Sequence, residues 1–278
     1  MNTLIELLKA LLFGIVEGIT EWLPISSTGH LILLDELVKL KVSDEFWSMF
    51  EVVIQLGAIL AVIVLFFHRL NPFSASKSPE QKKETWILWL KVILSILPSG
   101  VIGILLDDWM DEHLHTAVVV AAALIVYGVA FLFLEKMRPQ SKASIDEAGK
   151  ISYRTAFFIG CFQVLALIPG TSRSGSTILG AMLLGLSRSA AAEFSFFMAI
   201  PTMVGASGIK ILKFAVSGTA ISGTEWGVLA VGFVSAFLVS LAAIKFLMDF
   251  VKKHSFSAFG WYRIALGLLV LAWFSVIR

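Results

Sequence analysis

Apolar residues along this chain form long blocks, and the polar residues are gathered in short segments between them. A helix needs about 20 mostly apolar residues to cross the hydrocarbon of a membrane. Six blocks reach about that length. The pattern predicts membrane-spanning helices at 50–67, 86–106, 117–135, 193–214, 226–248 and 261–277. Trp86, Trp226 and Trp261 lie near helix ends, where aromatic side chains anchor spans at the membrane interface. We therefore predict an all-α polytopic membrane protein.

Two further apolar stretches, 4–42 and 155–187, are interrupted near the middle by proline, glycine and serine. The first contains LPISSTGH around Pro24, and the second contains IPGTSRSGST around Pro169. Proline lacks a backbone donor and clashes with the preceding turn, so a smooth helix does not continue through these positions. We predict broken or re-entrant helix hairpins, with Pro24 as the first residue of a short second helix.

The order of elements is the same in both halves of the chain. A hairpin and three spans occupy residues 1–140, and a second hairpin and three spans occupy residues 141–278. FGIVEGITEWLPISST aligns with IGCFQVLALIPGTSRS when one gap is introduced. The alignment pairs Gly14 with Gly160, Glu17 with Gln163, Pro24 with Pro169 and Ser27 with Ser172. We predict one membrane domain built from two repeats, although apolar stretches also resemble each other by chance.

The distribution of basic residues predicts the orientation of the spans. Segments 68–91, 136–154 and 245–263 are rich in lysine and arginine, whereas 107–115 is acidic and 216–224 is uncharged. Loops rich in these residues lie on the cytoplasmic side. The first hairpin then starts outside and the second inside, so the repeats have opposite topology. In inverted repeats of this kind, broken helices from both halves meet near the membrane midplane.

Composition agrees with lipid as the main solvent. Hydrophobic residues make up 58% of the 278 residues, charged residues 15%, and the mean hydropathy is +0.88. Soluble domains carry roughly a quarter charged residues. The formal charge of +2 gives no reason to expect a nucleic-acid partner, and the single cysteine, Cys161, cannot form an intrachain disulfide. The membrane-protein prediction is therefore retained.

Two carboxylates fall inside the first hairpin. Glu17 and Glu21 are four residues apart and share one face of a helix. Like charges at this spacing repel unless a cation lies between them or one carboxyl stays protonated. A divalent cation that prefers oxygen ligands, Mg²⁺ or Ca²⁺, fits this pair, with phosphate oxygens completing its shell. The alternative is that the carboxylates cap a helix or pair with a basic residue.

Hydroxyl groups and one imidazole follow Pro24. Ser27 and His30 are three apart, which predicts a hydroxyl beside an imidazole, as a nucleophile and its base require. Ser26 and Thr28 are candidate phosphate donors. Serine and threonine are also common helix caps, so capping is the alternative.

The second hairpin carries one arginine among small hydroxyl residues. Arg173 lies between Ser172 and Ser174, and Thr177 follows one turn later. A guanidinium group forms two parallel bonds to phosphate, and the amides at a helix start attract anions. The segment therefore predicts a phosphate cradle. The alternative is that Arg173 extends to the cytoplasmic interface.

EGITE followed by LPISSTGH, and PGTSRSGST, resemble the two signature motifs of the bacterial undecaprenyl-diphosphatase family, also called bacitracin-resistance proteins. FEVVIQLGAILAV and SRSAAAEFSFFMAIP resemble the same family, and the likeness covers the whole chain. The positions that match the family's functional residues are Glu17, Glu21, Ser26, Ser27, His30, Ser172, Arg173, Ser174 and Thr177. The resemblance implies a phosphatase of the bacterial plasma membrane that converts undecaprenyl diphosphate to the carrier lipid for cell-wall synthesis. It also implies a divalent metal, an outward-facing site and bacitracin resistance.

On this hypothesis Glu17 and Glu21 hold the metal, and Arg173 with its neighbouring hydroxyls grips the diphosphate. Ser27 attacks the terminal phosphorus with His30 as base; attack by His30 itself or by water are the alternatives. A transporter that flips a polyprenyl phosphate is the rival function, because inverted repeats are typical of transporters. The sequence does not fix the oligomeric state, and a homodimer is compatible with it.

Overall fold

The structure is a computed structural model that describes residues 3–114, 116–137 and 143–277. These residues form eleven α-helices and no β-strand. The helices are α1 (Thr3–Thr20), α2 (Ser27–Leu37), α3 (Asp44–Leu65), α4 (Phe67–Leu70), α5 (Pro79–Leu114), α6 (Ala117–Met137), α7 (Tyr153–Val164), α8 (Arg173–Leu183), α9 (Arg188–Val216), α10 (Gly223–Lys253) and α11 (Ser257–Ile277). The predicted boundary between the halves, at 140/141, lies outside the described residues.

Among the described residues, six helices are long and apolar enough to cross a membrane: α3, α5, α6, α9, α10 and α11. Five of them contain a predicted span, and α3 covers the sixth except for its last two residues, so the prediction of a multi-span helical membrane protein is confirmed. Four shorter helices make up the two hairpins, α1 with α2 and α7 with α8, and each hairpin is interrupted as predicted.

Helix packing follows the same plan in both halves. The first helix of each hairpin packs along the middle span of the other half, α1 on α10 and α7 on α5. A Cβ atom at Gly14 would lie 2.5 Å from the carbonyl oxygen of Gly232, and one at Gly160 would lie 2.0 Å from that of Ser95. Small residues of this kind let membrane helices approach closely. This matched packing is what two related halves of the chain would produce. The opposite membrane orientation of the two halves remains a prediction.

The remaining spans join the halves at two central contacts. Helix α3 packs on α9, and α6 packs on α11. Gly128 and Gly260 face each other across the second contact, where a Cβ on either would lie within 3.0 Å of the carbonyl oxygen of the other. Trp22, at the break of the first hairpin, is fully buried and meets the edge of Phe196 with ring centroids 5.1 Å apart. The hairpin breaks are thus held inside the helix bundle, where side chains cover their irregular backbone.

Candidate active site

The break of the first hairpin spans six residues between α1 and α2. Helix α2 begins at Ser27 and is capped by Ser26, whose hydroxyl accepts a hydrogen bond from the Gly29 amide at 3.3 Å. The prediction that Pro24 opens this helix is wrong, because Pro24 lies three residues before the first helical residue. The backbone turns instead at Ser26, which has a positive φ of 76°.

The second hairpin repeats this arrangement. Ser172 has a φ of 72° and caps α8, and its hydroxyl accepts from the Gly175 amide at 3.1 Å. Ser26 therefore corresponds to Ser172, and Gly29 to Gly175, at the same spacing that pairs Glu17 with Gln163. The alignment needs no gap, so the predicted pairings of Ser27 with Ser172 and of Pro24 with Pro169 are both corrected, and Pro24 corresponds to Gly170. The residue equivalent to Ser27 is Arg173.

Glu21 joins the two hairpins. One carboxylate oxygen accepts a hydrogen bond from the Ser27 hydroxyl at 2.7 Å. The other oxygen accepts from Nε and Nη2 of Arg173, at 3.3 and 3.1 Å. Glu21 is 4% exposed and the Arg173 side chain 9%, so this ion pair is largely removed from solvent. The structure brings together three predicted site residues, and Arg173 does not extend to the interface as the alternative required.

Arg173 is also fixed on its far side. Its Nη1 donates to the backbone carbonyl of Ser195 at 2.8 Å, and the Ser195 hydroxyl lies 2.6 Å from that of Thr177. Ser195 was missed in the sequence because it is a single serine inside the apolar run FSFF of α9. A polar residue in such a run is the signal that would have revealed it.

Most of the predicted hydroxyl donors already form hydrogen bonds with backbone groups of the site. The Ser174 hydroxyl donates to the backbone carbonyl of Glu21 at 3.1 Å, and that of Thr177 donates to the carbonyl of Arg173 at 2.9 Å. Ser26 and Ser172 are occupied as caps. Thr28 is half-buried, and its hydroxyl forms no hydrogen bond within the described part of the chain. Arg173, Thr28 and the helix-start amides therefore remain as the groups best placed to bind a phosphate.

The predicted hydrogen bond between Ser27 and His30 is not formed, because both ring nitrogens of His30 are engaged elsewhere. Nδ1 lies 2.6 Å from the Ser26 carbonyl oxygen, and Nε2 lies 2.7 Å from the Tyr262 hydroxyl. A carbonyl oxygen only accepts, so Nδ1 carries the hydrogen. Nε2 of the neutral ring then accepts from Tyr262. The partner of Ser27 is Glu21, and Tyr262, near the start of α11, contacts the site through His30.

Arg263 was grouped with the cytoplasmic basic residues, and this is wrong. It is fully buried and lies between the two hairpin breaks. Its Nη1 donates to the carbonyl of Pro24 at 3.1 Å, and Nη2 donates to those of Gly170 and Thr171 at 2.8 and 2.9 Å. The guanidinium also lies over the ring of Tyr127. Backbone carbonyls that lost their helical partners at the breaks are satisfied by this one side chain.

Glu17 is the predicted site carboxylate that accepts no hydrogen bond from any described residue. It is fully buried, and both carboxylate oxygens lack a hydrogen-bond partner. Gln163, the equivalent residue in the second hairpin, donates to the hydroxyl of Ser99 at 2.6 Å. A buried carboxylate without a partner is costly unless it binds a proton or a cation. Among the described residues no group of three or more histidine, cysteine or acidic side chains forms a metal site, so the protein would supply two carboxylates at most.

Comparison with known proteins places this site in a family. A family model described as bacitracin resistance protein BacA matches residues 10–269. An undecaprenyl-diphosphatase of Lactiplantibacillus plantarum is 55% identical over 99% of this chain and 100% of its own length. Undecaprenyl-diphosphatase 1 of Clostridioides difficile is 58% identical over 98% and 97%, and the undecaprenyl-diphosphatase of Streptococcus equi subsp. equi is 56% identical over 97% and 96%. The chain therefore belongs to the bacitracin resistance protein family.

Proposed function

We propose that this chain is a multi-span membrane phosphatase that hydrolyses undecaprenyl diphosphate to undecaprenyl phosphate and phosphate. Two relatives that align with this chain over nearly their whole length are named undecaprenyl-diphosphatases. The observation that carries the proposal is the carboxylate of Glu21, which holds Ser27 through one oxygen and Arg173 through the other. A candidate nucleophile and a phosphate-binding cation are thus both hydrogen-bonded to the same carboxylate, the candidate base, which supplies the positioning that phosphoryl transfer requires.

Binding of the diphosphate frees Glu21 from Arg173, so that Glu21 is able to act as the base. The anionic phosphate competes with Glu21 for the Arg173 guanidinium, because Arg forms two parallel bonds with phosphate as readily as with carboxylate. Glu21 is then free to accept the proton of Ser27 while Ser27 Oγ forms its bond to the terminal phosphorus. The bond from that phosphorus to the bridging oxygen breaks, and undecaprenyl phosphate leaves with the electron pair. Water then hydrolyses the phosphoserine.

His30 keeps its proposed roles as base or as alternative nucleophile, although it does not bond Ser27. Its ring is oriented by Ser26 and Tyr262, and its Nε2 lone pair accepts from the Tyr262 hydroxyl. When that hydroxyl turns away, Nε2 would be free to accept a proton from water in the second step or to form a phosphohistidine.

The residues present fit a divalent cation, Mg²⁺ or Ca²⁺. Glu17 offers two buried oxygens without a hydrogen-bond partner among the described residues, and Glu21 follows one turn later, its amide donating to the Glu17 carbonyl at 3.0 Å. These two carboxylates would hold the ion, whose charge would help to neutralise the diphosphate. Arg173 supplies a positive charge to the same site from the other hairpin.

The proposed location is the bacterial plasma membrane, with the site open toward the outer face. The support is the distribution of basic loops, which places the start and end of the first hairpin outside. An apolar chain on the substrate then lies in the bilayer beside the spans, while its diphosphate reaches the hairpin breaks. Bacitracin resistance would follow, because faster conversion removes the diphosphate form of the carrier.

Phosphate release by the purified protein tests the proposal. We expect release from undecaprenyl diphosphate by the unchanged chain, loss of release with a chelator, and recovery when Mg²⁺ or Ca²⁺ is added. Ser27→Ala should reduce kcat by about 100-fold or more. Ser275→Ala, a change at an exposed serine of α11, is the matched control. Absence of release with metal present would refute the enzyme.

Trapping the intermediate distinguishes the nucleophiles. Acid-stable phosphate on Ser27 supports the proposed step, and acid-labile phosphate on His30 contradicts it. Transport is a second candidate, favoured by the matched packing of α1 on α10 and α7 on α5. Movement of a polyprenyl phosphate across proteoliposomes by a Ser27→Ala variant would show transport independently of hydrolysis.

A further inference from the structure

A basic cavity lies away from the candidate active site, between the end of α4, the start of α5 and the turn at Ala148–Lys150. Its volume is about 500 Å³. The lysine, arginine and glutamate residues that line it are Arg69, Lys77, Lys91, Lys150, Glu84 and Glu147. None of these belongs to the two hairpins, so the cavity is a separate feature of the molecule.

Two of the lysines in the basic cavity are buried without an acidic partner. Lys77 is 9% exposed and Lys91 is 7% exposed. The Lys77 ammonium donates to the Thr85 hydroxyl at 2.7 Å and to the Arg69 carbonyl at 3.2 Å, and that of Lys91 donates to the Gly149 carbonyl at 2.8 Å. Neither forms an ion pair with any carboxylate in the described ranges.

The acidic groups nearby are already engaged or turned to solvent. Glu147 pairs with Lys150 at 2.6 Å, Arg69 pairs with Glu193, and Glu84 is exposed. The two buried ammonium groups thus keep unused N–H donors and have no carboxylate partner, although the Lys91 ammonium also lies over the Tyr153 ring, 5.7 Å from its centroid. Burial lowers the pKa of Lys77, which is the expected cost of holding a lysine here without an anion. A bound anion would remove that cost.

An exposed pair of aromatic side chains indicates that the basic cavity lies at the membrane interface. Phe73 is 77% exposed and Trp86 49%, and their rings meet edge to face with centroids 5.6 Å apart. Trp86 follows Thr85, the residue that binds Lys77. Tryptophan side chains at the ends of spans lie at the level of the lipid headgroups. The basic cavity therefore opens beside the headgroup layer, in loops that the positive-inside rule places at the cytoplasmic face.

We propose that the basic cavity binds the phosphate group of an anionic membrane lipid. Lys77 and Lys91 would donate to the phosphate oxygens, and the Phe73–Trp86 pair would contact the glycerol and upper acyl chain. Basic pockets between spans on the cytoplasmic side suit such headgroups, since that leaflet carries the anionic lipids. Inorganic phosphate offers the same oxygens without the apolar contact, and the experiment separates the two sources.

Titration of the detergent-solubilised protein with dioctanoyl phosphatidylglycerol, dioctanoyl phosphatidylcholine and inorganic phosphate tests the inference by calorimetry. We expect saturable binding of phosphatidylglycerol only. The double variant Lys77→Gln/Lys91→Gln should weaken it by about 10- to 30-fold. Lys252→Gln/Lys253→Gln removes the same charge from the exposed end of α10 and should leave the affinity unchanged.

A charge-conserving variant guards against a folding defect. Lys77→Arg/Lys91→Arg keeps two cations in the basic cavity and should bind phosphatidylglycerol within a few-fold of the unchanged protein. Equal affinity in the glutamine and unchanged proteins would overturn the proposal, as would equal binding of phosphatidylcholine. Inorganic phosphate binding as tightly as phosphatidylglycerol would overturn the lipid as its source.

Discussion

Ser26 and Ser172 are equivalent residues 146 positions apart, and each caps the second helix of its hairpin from a positive φ. They are the two described residues other than glycine with this backbone conformation. Side chains with a Cβ atom adopt it at a cost of about 1–3 kcal/mol, and such strain is concentrated at functional sites. The first residues of α2 and α8 lie close together, since Ser27 and Arg173 both donate to Glu21.

Substitution at Ser26 should reveal this strain. Ser26→Ala loses the cap and keeps the strain, whereas Ser26→Gly loses the cap and relieves the strain. Ser187 caps α9 from an ordinary φ of −65° and is the matched control. The stability difference between the glycine and alanine variants should be larger at Ser26 than at Ser187 by about 1 kcal/mol. Unfolding in detergent measures it, and equal differences at the two serines would contradict the strain.

The ion pair between Arg173 and Glu21 predicts that lysine cannot replace Arg173. The guanidinium bonds Glu21 through two nitrogens and the Ser195 carbonyl through a third, and an ammonium cannot span both partners. Arg173→Lys should lower kcat/KM by about 100-fold or more. Arg154→Lys on the exposed face of α7 is the control, with near-normal kinetics expected. Substantial activity in Arg173→Lys would argue against the proposed phosphate contact.

Arg263 is predicted to be a positioning residue on which both hairpin breaks depend. Arg263→Gln would leave buried carbonyls of Pro24, Gly170 and Thr171 without full partners, at a cost of about 3 kcal/mol or more. Arg263→Lys should recover only part of the stability, because a single ammonium cannot reach the three carbonyls together.

Thermal unfolding and phosphate release should both respond to the Arg263 variants. Removal of a positioning residue moves both hairpins, so KM and kcat are expected to change together. Arg154→Gln controls for loss of an arginine at the surface. A stable Arg263→Gln protein with normal kinetics would show that the breaks hold their shape without this side chain.

The spans and hairpins were predictable from sequence because their signals are local. About 20 apolar residues make a span, and proline with glycine breaks a helix whatever surrounds it. The partners of Glu21 were not predictable in the same way. Its contact with Arg173 joins residues 152 positions apart. Ser27 donates to Glu21 across the irregular break between α1 and α2, where helical periodicity does not determine which side chains meet.

The partners of Arg263 were likewise not predictable from the sequence. Its place in the second turn of a span, next to Trp261 and Tyr262, matched the signal of an interfacial basic residue. Only the packing of α11 on α6, close to both hairpin breaks, brings its guanidinium to their carbonyls. A charged residue inside a span is a functional signal, but its partner depends on long-range packing.

The hydrogen bond from Tyr262 to His30 predicts a modest catalytic effect. Tyr262→Phe keeps the stacked ring, whose centroid lies 5.6 Å from that of His30, and removes only the hydroxyl. We expect kcat to fall by about 3- to 10-fold, in line with the loss of one net hydrogen bond. Tyr153→Phe, at an exposed tyrosine of α7, is the control. Unchanged kinetics in Tyr262→Phe would remove Tyr262 from the site.

Glu17 gives the sharpest test of the proposed divalent cation. Glu17→Gln keeps the shape of the side chain and replaces a buried carboxyl group that has no hydrogen-bond partner among the described residues. Without metal, the variant should unfold at the same temperature as the unchanged protein or at a higher one, since a buried unpaired carboxylate is destabilising. Added Mg²⁺ or Ca²⁺ should raise the unfolding temperature of the unchanged protein and affect Glu17→Gln much less. The control is Glu45→Gln, at an exposed position in the first turn of α3, which should respond to metal normally. Equal stabilisation of Glu17→Gln and the unchanged protein by metal would show that Glu17 is not a ligand. The Glu17 carboxyl group would then bind a proton instead of the cation.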